Sequence, residues 1–435
     1  MNQISKYLAL AAILLAVVCV NGLQAGAQAP ASTKVSFAVG PNSPKGEARG
    51  IHPGRVAWAH APNTARWDES SGYWFDDAWN NQENCDKLVG QALLNLTGEA
   101  TEAAAWKALF IHFNSRHGKG SSTPYRAGEK IAIKINMNNT YSHAESEEIN
   151  ASPHMVLALL RSLVRHSGAP QHCISLVEPS RYLTDYLYRK CSAEFPDIVY
   201  IDNSGGDGRT RSLYTDSAIN YSKHNGHLSA SLATVMLESD YNINMALLKG
   251  HVGQGVTLCG KNWYGATGIH ANWRMNHHDG MNQNRDGSPS YITFVDYMGH
   301  PNLGEKTLVY FIDGLYGSKT VDLKPSGKWR MAPFNNDWPN SLLASQDGVA
   351  IDAVAIDLLC TEFPDMADVN YCDMYLFEAS QAGNPPSGTV YDPVGSGKRL
   401  GSLGVFEHWN NAVERKYSRN MGKNEGIELI YKFIR

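Results

Sequence analysis

The sequence lacks the charge imbalance that is typical of nucleic-acid-binding proteins and of acidic tails. Its 435 residues include 38 Lys and Arg against 42 Asp and Glu, for a formal net charge of −4. These charges are spread along the chain, so no basic stripe or acidic block stands out. We therefore expect no nucleic-acid partner. Hydrophobic residues make up 43% of the chain, which is enough for a large globular core.

Cysteine is scarce, and its spacing does not suit thiolate metal centres. One of the 7 cysteines, Cys19, lies in the N-terminal apolar run, and the chain has no CxxC pair. Zinc and iron–sulfur sites built on paired cysteines are therefore not expected. Buried free thiols and one or two disulfides both stay open as alternatives. The first pairs to test are Cys173 with Cys191 and Cys360 with Cys372.

Four common catalytic motifs are also missing. The chain has no complete GxxxxGK[ST] loop, no GxGxxG opening a helix near its N-terminus, no HExxH and no GxSxG. The sequence therefore does not indicate a P-loop nucleotidase, a dinucleotide-binding domain, a zincin or an α/β-hydrolase.

The N-terminus has the pattern of a signal peptide. Lys6 precedes an apolar run from Leu8 to Val20, and the small residues Ala25-Gly26-Ala27 follow. We expect residues 1–27 to be removed and the protein to be periplasmic or secreted. The apolar run is too short to span a bilayer, so no membrane span is expected in the mature chain.

Hydrophobic periodicity predicts an α/β core over residues 128–365. Buried strands are predicted at 130–136, 173–177, 198–201, 241–248, 307–312 and 341–344, and helices at 152–166, 181–191 and 348–360. This alternation indicates a mostly parallel sheet with helices on both faces. Residues 28–127 are expected to be an irregular and helical segment packed on that core, and residues 366–435 a helical extension.

Polar residues follow most of the predicted strands. They are Lys134, Asn136, Glu178, Asp202, Lys249, His251, Asp313, Ser345 and Asp347. Parallel strands would bring them to one edge of the sheet, where ligands of such folds bind. Each could instead cap a helix or form a turn. Lys134 is the hardest to explain in that way, because an ammonium flanked by Ile133 and Ile135 has to face a carboxylate, a ligand or water.

A glycine-rich stretch follows the strand at 241–248. Residues 249–265 contain Lys249, His251, Thr257, Lys261 and Asn262 among several glycines. Glycines let backbone N–H groups turn toward a ligand, and a short helix predicted at 255–262 would add its positive end. Phosphate, sulfate or carboxylate would suit such a stretch.

The next loop is rich in residues that could bind a metal ion. His270, His277, His278, Asp279 and Asp286 lie in or beside the polar segment 272–290. They could ligate Zn²⁺ or a harder ion, but no fixed ligand spacing is present, and such loops are often only solvated. The sequence does not decide whether a metal or another cofactor is bound.

In combination, these motifs resemble the family of domain of unknown function 362, in its exported single-domain form. The resemblance rests on Lys134-Ile-Asn136, on Leu248-Lys249-Gly-His251 with Lys261-Asn262-Trp-Tyr-Gly265, and on Ser345-Gln-Asp347-Gly-Val-Ala-Ile-Asp352. It implies an α/β fold and a shared site at Lys134, Asn136, Lys249, His251, Thr257, Lys261, Asn262, Asp347 and Asp352. It implies no particular activity.

Three functional hypotheses follow. In the first, Lys134, Lys249 and Lys261 hold a small anionic substrate while His251 or a lysine moves a proton, oriented by Asp347 or Asp313. In this hypothesis Lys261, His251, Lys249 and Asp347 are catalytic, and Lys134, Asn136, Thr257, Asn262, Asp313 and Asp352 bind the ligand. The second is a non-catalytic binding protein that uses the same pocket. The third is a metal-dependent hydrolase that uses His251 and the loop from His270 to Asp286.

Overall fold

The computed structural model describes residues 35–139, 141–223, 229–268, 280–282, 285–321, 323–365 and 369–435. Its strands, in chain order, are β1 (Lys45–Gly46), β2 (Arg55–His60), β3 (Ile131–Lys134), β4 (Ile174–Glu178), β5 (Val199–Asp202), β6 (Thr210–Arg211), β7 (Tyr214–Asn220), β8 (Ser229–Ala233), β9 (Tyr241–His251), β10 (Gly255–Thr257), β11 (Thr307–Ser318), β12 (Ser341–Ser345), β13 (Val405–Phe406) and β14 (Glu428–Phe433).

One large sheet runs through the centre of the described chain. Its strand order is β14-β2-β12-β11-β9-β3-β4-β5-β6, and β10 pairs with β9 beside this path. The pairings β11–β9, β9–β3, β3–β4, β4–β5, β5–β6 and β14–β2 are parallel. Strands β12 and β10 run against their neighbours. The prediction of a mostly parallel sheet is confirmed, and β3, β4, β5, β9 and β11 share one carboxyl edge.

Helices cover both faces of this sheet. The helices within the described residues are α1 (Gln82–Thr97), α2 (Glu102–Arg116), α3 (Pro153–His166), α4 (Asp185–Ser192), α5 (Thr234–Glu238), α6 (Cys259–Asn262), α7 (Thr293–Gly299), α8 (Gly348–Glu362) and α9 (Met374–Ser380). Helices α1 to α4 share a hydrophobic core with one face of the sheet, and α6 to α9 share a second core with the other face. The fold is therefore an α/β sandwich of three layers, as predicted.

The cores follow the alternation of side chains along the strands. In β9, Ile243, Met245 and Leu247 belong to the core under α1 to α4, whereas Ala246 and Leu248 belong to the core under α6 to α9. Successive side chains of a strand point to opposite faces, so both faces of a sheet buried on both sides must be apolar. This explains the continuous hydrophobic runs of the central strands.

The segments outside the predicted core are integral parts of the sheet. Residues 35–435 form one compact unit. Strand β2, from the N-terminal segment, lies between β12 and β14, and β14 comes from the C-terminal segment. The C-terminal segment was expected to be a helical extension. Its described residues contain α9, but beyond that helix they form β13, a short 3₁₀ turn and β14, so the expectation is wrong for this part.

A buried histidine fastens the C-terminal segment to the core. The His408 ring contacts Asp357 of α8 through Nδ1 (2.6 Å) and Asp373 through Nε2 (3.1 Å). The backbone N–H of Trp409 and the hydroxyl of Tyr417 also donate to Asp357. The two carboxylates outweigh the effect of burial and raise the pKa of His408 to about 10. The imidazolium therefore stabilises the packing of this segment against α8.

None of the helices in the described ranges combines the length and apolar character that a bilayer crossing requires.

Candidate functional site

A polar cavity of about 440 Å³ opens near the carboxyl edge of the sheet. The side chains that line it come from the ends of β4 and β9, from β10 and α6, and from the loop after β3. Five of them are among the ten predicted site residues: Asn136, Lys249, His251, Thr257 and Lys261. Glu178, one of the strand-end residues expected at this edge, also lines the cavity, and the further polar side chains are those of Asn138, Tyr141, Glu148, Ser180, Arg181 and Tyr264. The structure thus brings half of the ten predicted site residues to one cavity.

Lys134 lies beneath this cavity rather than in its wall. Its ammonium donates to Glu178 Oε2 (3.0 Å), to Asn262 Oδ1 (3.1 Å) and to the carbonyl of Ile135 (2.6 Å). Both charged side chains are fully buried. Burial lowers the pKa of Lys134, and Glu178 opposes that shift. Because all three ammonium protons have acceptors, Lys134 is a structural part of the cavity floor.

Asn262 connects this ion pair to the neighbouring strand. Its side-chain amide donates to Asn244 Oδ1 (2.8 Å) and to the carbonyl of Lys134 (3.2 Å), and its Oδ1 accepts from Asn136 (3.3 Å). The side chains of Lys134, Glu178, Asn244 and Asn262 therefore form a continuous hydrogen-bonded floor. Such a network is rigid when every member is satisfied.

Gly265 has to be glycine for this floor to form. A Cβ atom at this position would lie 2.8 Å from Glu178 Oε1 and 2.9 Å from Lys134 Nζ. These separations are shorter than real Cβ contacts, so a side chain here would displace the buried ion pair. The backbone of the segment after α6 thus closes directly over the charged floor.

The glycine-rich stretch is a β-hairpin followed by a single helical turn. Gly253 and Gly255 have φ of +79° and +84°, which allows β10 to fold back on β9. The predicted helix over 255–262 is therefore too long, because residues 255–257 are strand and α6 begins only at Cys259. In the hairpin, Thr257 is the cross-strand partner of Lys249, so both reach the same cavity.

Asp352 holds the start of α6. Its carboxylate accepts hydrogen bonds from the backbone N–H groups of Cys259 and Gly260 (2.9 Å each) and from the hydroxyl of Tyr375 (2.9 Å). Burial raises the pKa of Asp352 to about 6. The expectation that the N-terminus of this helix binds an anionic ligand is therefore wrong, because the Asp352 carboxylate already accepts hydrogen bonds from its N–H groups. Asp352 positions the turn that carries Lys261 and does not line the cavity.

Lys261 and Lys249 bring two ammonium groups into buried positions. Lys261 is 9% exposed, and its Nζ lies 5.2 Å from the centre of the Tyr264 ring. Lys249 is fully buried and donates to Asn138 Oδ1 (2.9 Å). His251, at the end of β9, is partly exposed and contacts the carbonyl of Val252 through Nδ1 (2.6 Å). The two lysines and the histidine thus line the same cavity.

Two polar atoms of the lining have no hydrogen-bond partner among the described residues. They are the hydroxyl of Thr257, in a side chain only 3% exposed, and Oδ1 of Asn136. A buried polar atom without a partner costs free energy, roughly 1–3 kcal/mol, so these atoms are suited to bind a ligand or ordered water.

Positive charge predominates in and under the described part of this cavity. Lys134, Arg181, Lys249 and Lys261 carry four positive charges, against the two carboxylates of Glu148 and Glu178. In a partly desolvated site this excess favours an anionic ligand.

Asp347 lies at the opposite edge of the sheet, so its predicted place in the cavity is wrong. Strand β12, which it follows, runs antiparallel to β11, and Ser345 pairs with Tyr310 near the start of that strand. Asp347 caps α8 by accepting from the N–H groups of Val349 and Ala350, and it also accepts from those of Arg49 and Val405. The alternative interpretation as a helix cap is the correct one.

Asp313 is also outside the cavity. It was expected to follow a strand, but β11 continues to Ser318, so it lies within the strand. Its carboxylate accepts from the N–H groups of Ser152, at the start of α3, and Leu315. Helix α3 covers the face opposite Lys134, and burial raises the pKa of Asp313 to about 6.

The proposed metal loop is only partly described. His270, His277, His278 and Asp279 lie outside the described residues, and Asp286 accepts a hydrogen bond from the N–H of Ser288. Within the described ranges, no group of three or more His, Cys, Asp or Glu side chains is arranged to hold a metal ion.

Arg181 and Tyr264 are lining residues that the sequence prediction missed. Arg181 follows β4 by three residues, in the segment Glu178-Pro-Ser-Arg181, but it was assigned to a helix that begins only at Asp185. Its position just beyond a buried strand could have identified Arg181 as a site residue, as the same kind of position did for Lys249. Tyr264 lies one turn beyond Lys261 and could have been predicted from that spacing.

A search of the curated proteins finds no match to this chain. The family model described as Domain of unknown function (DUF362) matches residues 131–357, which extend from the start of β3 into α8 and include just over half of the chain. The match contains all the predicted site residues and the lining residues from Asn136 to Val321. The chain therefore belongs to the DUF362 family.

Proposed function

We propose that this chain is an exported protein whose cavity binds a small anion and transfers a proton to or from it. The observation that carries the proposal is the composition of the lining: the side chains of Arg181, Lys249 and Lys261 line the same cavity as the Thr257 hydroxyl, which has no partner among the described residues. An oxyanion such as phosphate, sulfate or carboxylate can accept from all four groups.

The lining also supports a ligand with a hydrogen-bond donor beside its anionic group. Asn136 Oδ1 has no partner among the described residues, and Asn136 Nδ2 donates to the Asn262 floor (3.3 Å). That contact orients the oxygen as the acceptor. A hydroxyl or amine of the ligand would fill this position, while its anionic oxygens contact the cationic side.

Proton transfer is assigned to His251 or Lys261. Both line the cavity, and an imidazole or a neutral amine can accept a proton from a bound ligand. Asp347 and Asp313 are not available to orient them, because each accepts backbone hydrogen bonds elsewhere. The alternative, a binding protein without turnover, uses the same lining and differs only in this step.

Ligand binding can be tested with inorganic phosphate and sulfate as probes. We expect both anions to raise the melting temperature of the full chain more than sodium chloride does at equal ionic strength. Lys261→Met and Thr257→Val should remove this difference. Lys87→Met, a substitution of a half-exposed lysine on α1, is the matched control and should respond as the wild type does. Equal responses to phosphate and chloride would rule out the anion site.

The proposed base can be tested with pyridoxal 5′-phosphate, an anionic aldehyde that forms an imine and water with a neutral amine. Borohydride then reduces the imine to a stable secondary amine. Peptide mapping should find the label on Lys261, and excess phosphate should suppress it. Labelling confined to exposed lysines would contradict the assignment of a lysine base and leave His251 as the proton acceptor, which His251→Gln would test.

The export part of the proposal rests on the N-terminal sequence pattern alone, because residues 1–34 lie outside the described residues. N-terminal sequencing of protein expressed in its own host should find a start near Gln28. An intact Met1 on cytosolic protein would contradict export.

A further inference from the structure

The thiols of Cys360 and Cys372 lie close together in the core under α6 to α9. All six cysteines of the described chain are free and buried. The sulfur atoms of Cys360 and Cys372 lie 3.9 Å apart, and the two side chains are 6% and 0% exposed. The other pair suggested by the sequence is not arranged in this way, since Cys173 interacts with the hydroxyl of Tyr125 whereas Cys191 lies near Tyr200.

The two cysteines lie close to the ends of neighbouring helices. Cys360 lies in the last turn of α8, and Cys372 lies two residues before α9 begins. A disulfide has a bond length of about 2.05 Å, so the two sulfurs would need to approach by about 2 Å. A change of side-chain rotamer moves a cysteine sulfur by a distance of this order.

Cys372 is also hydrogen-bonded, through Asn282, to the turn of the hairpin whose strands line the cavity. Its carbonyl accepts a hydrogen bond from the side-chain amide of Asn282 (2.7 Å), and the same amide donates to the carbonyl of Gln254 (3.1 Å). Asn282 is fully buried. Gln254 lies in the turn between β9 and β10, which connects His251 to Thr257. A constraint on Cys372 is therefore transmitted to the hairpin that lines the cavity.

We propose that Cys360 and Cys372 form a disulfide that braces the β9–β10 turn. The oxidant is a small-molecule or protein disulfide. The Cys360 thiolate attacks one sulfur of the oxidant and releases its first thiol. The Cys372 thiolate then attacks Cys360 Sγ in the mixed disulfide and releases the second thiol. The protein loses two thiol protons and two electrons, and the oxidant becomes two thiols.

Burial determines when this reaction takes place. The hydrogen bond with Cys372 and burial raise the pKa of Cys360, which suppresses its thiolate in the folded protein. Oxidation therefore occurs while the chain folds, and the folded dithiol reacts slowly. This timing fits a protein that folds after export, but the link itself does not depend on the ligand of the cavity.

The link can be tested by counting thiols. The full chain is refolded with oxidised glutathione or with dithiothreitol, then denatured and alkylated with iodoacetamide. Mass spectrometry then gives the number of alkylated cysteines. We expect two fewer alkylated cysteines after oxidative refolding, and a single peptide that joins Cys360 to Cys372. Cys173→Ser is the matched control for a buried cysteine and should still lose two thiols, whereas Cys360→Ser should lose none. Alkylation of both Cys360 and Cys372 after oxidative refolding would overturn the proposal, and so would a different pairing.

The brace can be measured separately by amide hydrogen exchange. We expect residues 252–255 to exchange more slowly in the oxidised protein than in the reduced protein, and the oxidised form to melt a few degrees higher. Equal exchange in the two forms would overturn the brace. If Cys360→Ser does not fold, the comparison of oxidised and reduced wild type still decides both parts.

Discussion

The Lys134 ammonium and the Glu178 carboxylate form a fully buried ion pair, 3.0 Å apart, directly beneath the candidate cavity. Removing one partner of such a pair leaves an uncompensated buried charge. We expect Lys134→Met to lower the free energy of unfolding by about 3–5 kcal/mol. Urea denaturation monitored by tryptophan fluorescence measures this. The double variant Lys134→Met/Glu178→Gln should recover part of the loss, and purely additive effects would contradict a coupled pair.

Lys261→Met should behave in the opposite way. Methionine keeps the apolar stem but removes the charge, so the loss of stability should be about 1 kcal/mol or less, with binding of phosphate abolished. The same denaturation assay and the phosphate-dependent melting temperature provide the two measurements. If Lys261 instead neutralised a buried carboxylate, the loss would be about 3–5 kcal/mol, and the proposed site would lose its central residue.

Asp347→Ala tests the reassignment of a predicted catalytic residue. The carboxylate accepts four backbone N–H groups, so its removal should cost at least about 2 kcal/mol through the lost helix cap and the unsatisfied donors. Because Asp347 lies at the opposite edge of the sheet, the phosphate-induced shift in melting temperature should stay as in the wild type. Loss of that shift in a folded variant would restore Asp347 to the site.

His408 predicts a dependence of stability on pH. Its pKa is raised from an ordinary value of 6.5 to about 10, so the folded state binds the proton more tightly than the unfolded state. The stabilisation is fully present below pH 6.5 and is lost as the pH rises through about 10. Compared with the wild type, His408→Gln should be less stable at pH 6 and should lose less stability between pH 6.5 and 10. Parallel curves for the two proteins would contradict a charged His408.

The sequence was sufficient to predict the strands of the core, because their apolar runs are continuous in a sheet buried on both faces. It also predicted that Lys134 has a partner, since burying an isolated ammonium in an apolar strand costs too much free energy. The orientation of β12 was not predictable, because the local pattern of a strand carries no information on its direction. Because β12 runs antiparallel to β11, Asp347 lies at the edge of the sheet opposite the cavity.

Other errors came from where the elements begin and end. Asp313 was placed after a strand predicted to end at residue 312, but β11 continues to Ser318. Arg181 was not recognised as a site residue, because the helix that begins at Asp185 was predicted to begin at residue 181. The contribution of β2 and β14 to the sheet could not be inferred, because each lies far in sequence from the strand it pairs with.

The position of β2 affects how the protein can fold. Strand β2, at residues 55–60, pairs with β12, at 341–345, and with β14, at 428–433. These contacts span most of the chain, and closing such long loops is slow. A chain that becomes available from its N-terminus can assemble β3, β4, β5 and β9 early, but β2 lacks one or both of its partner strands until almost the whole chain is available for folding. During that interval the segment is a target for chaperones and for intermolecular strand pairing.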